Sequence, residues 1–485
     1  MSASERITKS KIICTLGPAT NTPEQIKMLA DCGMDCARIN FSHGTKEDKE
    51  ELFENIRTAD ARLAVLCDIQ GPKIRIGRVK NGGAHMHTGN TVTVTTDDIE
   101  GDEEHVSVSY KALPDEIKTG DLIFINDGIV CLKTQSIKGC EIVCKVLAGG
   151  YISTGKGVNL PSTKISLKVP TEKDLEDLKL ISELNPEYVA ISFVNEAKDV
   201  RDVRTILSDN GNDDIKLVAK IERPSAVENF DSILKVSDGI MVARGDLGVE
   251  LNPEQVLPVQ KSMIRKCNIA GIPVIIATQM LESMVKAPVP TRAEVSDVFN
   301  AIEDGADVVM LSAETANGDY PREAVTIMER IIRESETLIP RRNSDDYDSD
   351  SGATAEIIGN LVYGACKEFK DMEYEDGKII CLTRSGYTAR MISKYRPPLK
   401  IFGVTPDERT FKELKIIWGV EPVYLPQLDS AERTIKRIEL AVESCMKLHF
   451  IEEDEKLIIA GNFFDFPSQT NMISIFSAQD VLKMA

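Results

Sequence analysis

Lys220 and Glu222 stand two residues apart in KLVAKIERP. On a strand, that spacing sends both side chains to the same side. A cation and a carboxylate aimed together suit a metal-bound anionic substrate, although an ordinary Lys–Glu ion pair at a strand end has the same spacing. Asp246 follows Gly245 in ARGDLGVEL, where a glycine lets the backbone approach a ligand closely and open a helix. Glu222 and Asp246 then form a hard-oxygen pair for Mg2+ or Mn2+, with positions left for water and substrate oxygens. Arg38, Asn40 and Ser42 alternate in ARINFSHG, so they face one side. The guanidinium of Arg38 offers a planar fork to a phosphate or carboxylate. His43, just beyond, reads equally as a surface hydrogen-bonder. ATQMLESM puts the Thr278 hydroxyl where it could meet a ligand or cap a helix. Lys156, flanked by glycines in GKGVNLPS, is a candidate phosphate ligand or a solvated loop lysine.

These residues share a place in the chain's rhythm. Eight short apolar runs, IICTL, CARIN, AVLCDIQ, YVAISF, KLVAKIE, GIMVARGD, VIIATQ and VVMLSAE, each end in polar residues. Helix-length segments with apolar residues at three- and four-residue spacing separate most of them. Near-continuous apolar strands alternating with helices predict parallel strands buried on both faces. Eight such units suit a closed (β/α)8 TIM barrel, whose active site lies at the C-terminal ends of the strands. Those ends carry Arg38, Asn40, Ser42, Asp68, Lys220, Glu222, Asp246, Thr278 and Glu314.

After the third run the pattern changes. TVTVTT, HVSVSY, LIFINDGIVCLKT and EIVCKVLAGG alternate and are separated by Gly and Asp turns. Residues 73–157 are therefore expected to form an inserted antiparallel β-barrel, placed by barrel topology as a lid over the site. The catalytic barrel is expected over 1–72 and 158–341. RRNSDDYDSDSG reads as a linker. Residues 342–485, with the helical pattern ATAEIIGNLVYGACKEF and the strands IICLT, KIFGV and KLIIAG, predict a terminal open α/β domain of the α/β class.

The chain has 485 residues, 42% apolar content and a formal charge of −19. Such acidity argues against a general nucleic-acid or anionic-membrane binder, while a local Lys/Arg cluster still admits an anionic small substrate. The eleven cysteines form no ordered framework. Cys32 and Cys36 lack the further ligands of a zinc site, so buried thiols in a reducing cytosol are expected. The first strand follows the N-terminus without a signal-peptide pattern, and no apolar run reaches the length of a membrane span. The expected location is cytoplasmic.

Taken in order, ARINFSHG, GPKIRIG, GKGVNLPS, AKIER, VARGDLGVE, ATQMLESM and LSAETANG resemble the signature segments of the pyruvate kinase family. The spacing, the insert and the terminal domain match as well, over essentially the whole chain. The resemblance implies Mg2+-dependent phosphoryl transfer from phosphoenolpyruvate to ADP. Lys220 would stabilise the moving phosphoryl group and the enolate oxygen. Glu222 and Asp246 would hold the metal, and Gly245, Asp246 and Thr278 the substrate carboxylate. A water chain near Thr278, with Ser312 and Glu314, would protonate the enolate. Arg38, Arg75 and Lys156 would line the nucleotide phosphates beside Asn40 and His43, and a second Mg2+ would come with the nucleotide. The family is typically a homotetramer. Another metal-dependent barrel acting as an aldolase-type lyase, or a degenerate metabolite sensor, remains as an alternative. The insert and Lys156 weigh against the first, the retention of Lys220, Glu222 and Asp246 against the second.

The chain departs from the commonest family pattern at Lys73, where Glu is usual. In that pattern the equivalents of Asn40, Ser42, Asp68 and the carbonyl of Ile69 hold K+. Lys73 would supply a tethered unit charge in its place, and Ile69, Gln70 and Ile76 also resemble the branch working without K+. Activity is expected not to require K+. The alternative is Lys73 turned to solvent with the K+ site intact. Thr383, Ser385, Gly386 and Thr388 in LTRSGYTARMI resemble an effector loop able to cradle one phosphate, with helix capping as the alternative. The second effector loop, GNFFDFPSQTN, has no Lys or Arg. Fructose 1,6-bisphosphate is therefore not expected to activate, and a monophosphate effector or none is open. Asn317 replaces a common lysine, and the sequence offers no account of it.

Overall fold

The computed structural model describes residues 8–161, 163, 165–338, 354–371, 377–431, 433–462 and 470–483. The predicted linker and most of GNFFDFPSQTN lie outside them.

Eight parallel strands close into a barrel in chain order. They are Lys11–Thr15, Cys36–Asn40, Ala64–Ile69, Tyr188–Ile191, Lys216–Ile221, Gly239–Ala243, Val274–Ala277 and Val308–Leu311, called strands one to eight below. Strand eight closes on strand one in the register Lys11↔Val308 and Ile12↔Val309. Nearly every strand residue is buried, because helices cover the outer face and side chains fill the lumen. The two-residue alternation divides them. Ile12, Ile39, Val65, Val189 and Leu217 join one apolar core, while Ile13, Leu66, Ala190, Val218, Met241 and Met310 join another. Arg38, Asp68, Lys220 and Glu222 continue the second set toward the strand ends, so they project inside the barrel mouth.

Helix starts are written in the sequence by capping boxes. Thr22, Thr45, Thr171 and Thr291 each accept a hydrogen bond from the backbone N–H three residues on, and the residue there reaches back.

The insert between strands three and four has its own apolar core, with Val92, Val94, Ile123, Leu132 and Ile142 at its centre. Its six-stranded sheet runs in the order Val158–Asn159, Leu122–Ile125, Val130–Lys138, Glu141–Ala148, Thr91–Thr95, His105–Ser107. Every neighbouring pair is antiparallel except the last, which is parallel. Gly83–Met86 and Gly150–Ser153 form a separate antiparallel pair. Asp127, at a turn of the insert, lines a cleft of about 680 Å3 together with Lys73, Gly245 and Asp246. The insert therefore stands over the mouth as a lid would.

The terminal domain is a five-stranded sheet in the order Val420–Tyr424, Ile401–Thr405, Lys378–Leu382, Lys456–Gly461, Met472–Ser477, with only the last strand antiparallel. It is tied to the closed end of the barrel. Tyr188 Oη donates to the carbonyl of Glu413 (2.6 Å), Lys11 Nζ to that of Val420 (2.8 Å), and Arg396 pairs with Asp307 (2.8 Å). No helix among the described residues is long and apolar enough to cross a membrane. All eleven cysteines are free thiols, and burial pushes the Cys144 thiol up to about 11.

Candidate active site at the barrel mouth

Strands two, three and five bring four charged groups to one point. Asp68 accepts from Arg38 Nε (2.8 Å) and lies 2.7 Å from its Nη2. On its other oxygen it meets Lys220 Nζ at 3.2 Å. The same ammonium is 3.0 Å from Glu222 Oε1. Burial works to raise the Asp68 carboxyl, but the charges of Lys220 and Arg38 outweigh it and hold the group below its ordinary value. Burial likewise works to lower Lys220, and Asp68 and Glu222 outweigh it, so the amine stays charged. Lys220 and Glu222 thus form the ion pair that spacing alone allows, but inside a cavity rather than on a solvated rim.

That cavity, of about 140 Å3, is lined by Arg38, Asn40, Ser42, Asp68, Lys73, Lys220, Glu222, Asp246, Thr278 and Ser312 among others. Its charged lining balances, with Arg38, Lys73 and Lys220 against Asp68, Glu222 and Asp246. A phosphate ester with several negative charges needs more counter-charge than a neutral lining supplies. Burial, and then the field of Asp246, raise the Glu222 carboxyl. Two carboxylates that repel one another at a barrel mouth are a fitting place for a divalent cation. Among the described residues no three His, Cys, Asp or Glu side chains gather to hold a metal. Mg2+ usually takes one or two carboxylates and completes its shell with water and substrate oxygens, and Glu222 and Asp246 offer two.

Lys73 is expected in a seat between Asn40, Ser42 and Asp68. It lines the same cavity, yet its ion pair is with Asp246, at 4.0 Å. Asp68 itself is engaged by Arg38 and Lys220. Asn40 Oδ1 accepts from the Ser42 backbone N–H (3.1 Å), and Ile69 lies buried at the end of strand three.

Thr278 and Gln279 both adopt left-handed backbone, φ +69° and +55°, which is costly for a β-branched residue. Arg244 holds them there. Its Nη2 donates to the carbonyls of Thr278 (2.8 Å) and Gln279 (3.3 Å), and Asp297 pairs with its Nη1 at 2.7 Å. The turn presents the Thr278 hydroxyl, which accepts from the Gly245 N–H at 2.7 Å. A Cβ on Gly245 would sit 3.2 Å from that oxygen, so the glycine permits this approach. A substrate carboxylate taking the Gly245 N–H would displace Thr278 Oγ1.

Glu314 is not brought to the cavity. Its carboxylate turns inward and accepts the backbone N–H groups of Leu281 (3.1 Å) and Ser312 (2.7 Å), tying the strand-seven loop to the end of strand eight. It lies outside the cavity, whereas Ser312 lines it. Glu314→Gln would set an NH2 group against one of these N–H donors. Leaving a buried donor unpaired costs about 1–3 kcal/mol, and a fall of that size in unfolding free energy is expected in denaturant titration.

Arg75 and Lys156 sit on the lid's hinge, outside this cavity. Arg75 Nη1 donates to the Gly155 carbonyl (2.9 Å), and Arg75 bridges Gly157 through its backbone. His43 is also outside; burial, and then the charges of Arg75, Lys73 and Arg38, lower its imidazole. Those charges mark a basic margin beside the mouth. In the terminal domain the Thr383–Thr388 loop opens a helix. Gly386 takes φ +74°, Thr383 is buried and Thr388 Oγ1 meets Thr470 Oγ1 at 2.5 Å, while Ser385 is exposed. Asn317 is exposed and nothing in the structure explains its exchange.

Sequence reasoning missed Ser192, Phe193 and Arg244. Phe193 donates its N–H to Glu222 Oε2 (2.7 Å). Strand parity could have found Ser192, which follows Tyr188 and Ala190 on the inward face.

A family model for the pyruvate kinase barrel domain matches residues 7–325, and one for the pyruvate kinase alpha/beta domain matches residues 360–476. A pyruvate kinase of Dictyostelium discoideum is 38% identical over 98% of this chain and 95% of its own length. One of Clostridium perfringens is 39% identical over 96% of this chain and 99% of its own. A crystal structure of a pyruvate kinase from Cryptosporidium parvum superposes with a TM-score of 0.89, at 37% identity, covering 97% of this chain and 96% of that one. Barrel, insert and terminal sheet all fall within these matches, and the chain belongs to the pyruvate kinase family of phosphotransferases.

Proposed function

We propose that the cavity at the barrel mouth transfers the phosphoryl group of phosphoenolpyruvate to ADP, giving pyruvate and ATP. The observation that carries this reading is the Lys220 ammonium, charged and buried between Asp68 and Glu222. Such transfer needs positioning and charge neutralisation more than covalent chemistry. The bond from phosphorus to the enol oxygen breaks as an oxygen of the ADP terminal phosphate bonds to phosphorus. Arg38 and Lys220 hold the moving group, and Lys220 faces the oxygen on which negative charge develops. Thr278 and the Gly245 and Asp246 backbone fix the carboxylate. Water beside Thr278 and Ser312 gives the enolate carbon its proton. Held by Glu222 and Asp246, Mg2+ or Mn2+ would supply positive charge to the phosphoryl and enolate oxygens, and a second Mg2+ would come with the nucleotide. The cleft reaching Asp127 offers room for the nucleotide under the insert, and we assign its phosphates to Asn40, His43, Arg75 and Lys156 at the basic margin of the mouth.

Lys73 gives this cavity a tethered monovalent charge, so activity does not require K+. A monophosphate at Thr383, Ser385, Gly386 and Thr388, or no effector, fits the terminal domain better than fructose 1,6-bisphosphate. A homotetramer is supported by exposed apolar side chains on the barrel (Leu257, Val289) and the terminal domain (Ile357, Leu361, Ile475).

The test is a lactate-dehydrogenase-coupled assay with phosphoenolpyruvate, ADP and Mg2+, alongside direct measurement of ATP. Pyruvate and ATP in equal amounts are expected. Pyruvate without ATP would mean a lyase or phosphatase, and binding without turnover a sensor.

A further inference from the structure

The end of strand four contributes two uncharged residues to a site otherwise described by its charges. The Lys220 ammonium lies 2.6 Å from Ser192 Oγ, closer than to Glu222 (3.0 Å) or Asp68 (3.2 Å). Ser192 Oγ in turn donates to Asp68 Oδ1 (3.2 Å). A hydroxyl has one proton and two lone pairs. Giving the proton to Asp68 leaves the lone pairs for the ammonium, so the direction of the contact is set.

Ser192 is 3% exposed, and its backbone is wedged. A Cβ on Gly71 would come within 2.8 Å of the Ser192 carbonyl and 3.0 Å of its Cβ. Gly71 itself is tied down by its N–H bond to Asp174 (3.0 Å). The next residue, Phe193, has φ +58° and gives its N–H to Glu222. One strained turn therefore touches both chemical groups of strand five.

The three partners of the ammonium are not equivalent. Asp68 is shared with Arg38, and Glu222 is offered to the divalent ion. Ser192 is neutral, so it can direct the ammonium without cancelling its charge. A carboxylate in its place would leave four acids facing three cations in the lining.

We infer that Ser192 is a positioning residue for phosphoryl transfer, its hydroxyl fixing the direction in which Lys220 presents its charge to the substrate. The inference rests on the role given to Lys220 above. Small displacements of a reacting group cost about a hundredfold in rate. Ser192→Ala is accordingly expected to lower kcat by about ten- to a hundredfold. KM for phosphoenolpyruvate and ADP, and half-saturation by Mg2+, should stay within about threefold. Ser192→Thr, which keeps the hydroxyl, should recover most of kcat if its added methyl is accommodated beside Gly71.

The deciding measurement is a double-mutant cycle in the full-length enzyme with Lys220→Met. If Ser192 acts through Lys220, adding Ser192→Ala to Lys220→Met costs little more. A merely structural serine would lower both backgrounds alike, in step with a lowered melting temperature. The inference is overturned by a Ser192→Ala enzyme with unchanged kcat, or by a loss equally large in the Lys220→Met background. Should Lys220→Met itself keep full activity, the role of Lys220 fails first and that of Ser192 falls with it.

Discussion

Lys220→Met lowers kcat by at least about a hundred- to a thousandfold, the loss typical of removing a preorganised charge donor from a water-poor site. Methionine fills similar space but cannot donate. The size of the effect follows from where the charge sits. Lys220 is nine-tenths buried, and its charged partners are acids that keep it protonated. A charge in such surroundings acts on a developing anion far more strongly than in water. The protein should survive the exchange. Asp68 keeps its contacts with Arg38, and Glu222 keeps the Phe193 N–H. The expected pattern is therefore a collapse in kcat, a smaller change in KM for phosphoenolpyruvate and a folded enzyme by circular dichroism. Arginine at this position should not rescue, because its planar fork cannot reproduce a compact ammonium among Asp68, Ser192 and Glu222. A Lys220→Met enzyme with kcat near that of the wild type would remove the central element of the proposed site.

The parts of this site legible in the sequence are those governed by a period. Alternation along strands two and five places Arg38 and Asn40, then Lys220 and Glu222, toward one lumen, and the barrel topology brings the two pairs together. Distances between side chains far apart in sequence obey no such period. Asp68 and Lys220 meet across 152 positions, so that Lys73 pairs with Asp246 and not Asp68 cannot be read from spacing. Backbone conformation is hidden for a similar reason. Nothing in ATQMLESM announces that Thr278 and Gln279 are left-handed, because the cause is Arg244 on the neighbouring strand end. Glu314 shows the converse. A carboxylate at a barrel strand end is read as chemistry, yet two nearby backbone N–H groups claim it. The parallel pair at the edge of the insert escaped notice because alternation gives a strand its face, not the direction of its neighbour.

Lys73→Glu is expected to make the enzyme depend on K+. The wild type should work in buffer free of both K+ and Na+, with tetramethylammonium as the salt, and K+ should add little. The variant should lose at least about tenfold in kcat/KM for phosphoenolpyruvate in that buffer, as expected from a like-charge pair near 4 Å, worth about 1–4 kcal/mol between bulk water and a protein surface. The lining explains the direction. Lys73 is one of three cations balancing three acids, and its ammonium stands 4.0 Å from Asp246. Glutamate there leaves two cations against four acids and sets a second carboxylate beside Asp246, so a substrate anion meets net repulsion. A monovalent cation among Asn40, Ser42, Asp68 and the Ile69 carbonyl would return part of the lost charge, and K+ should then restore most of the rate. Lys73→Gln, which removes one charge rather than reversing it, should fall between. The ion pair with Asp246 is loose and partly exposed, so little stability is at stake and melting temperatures should stay close. Strong K+ stimulation of the wild type would show that Lys73 does not replace the ion. A Lys73→Glu enzyme indifferent to K+ would show that the four oxygens near Asn40 do not bind one.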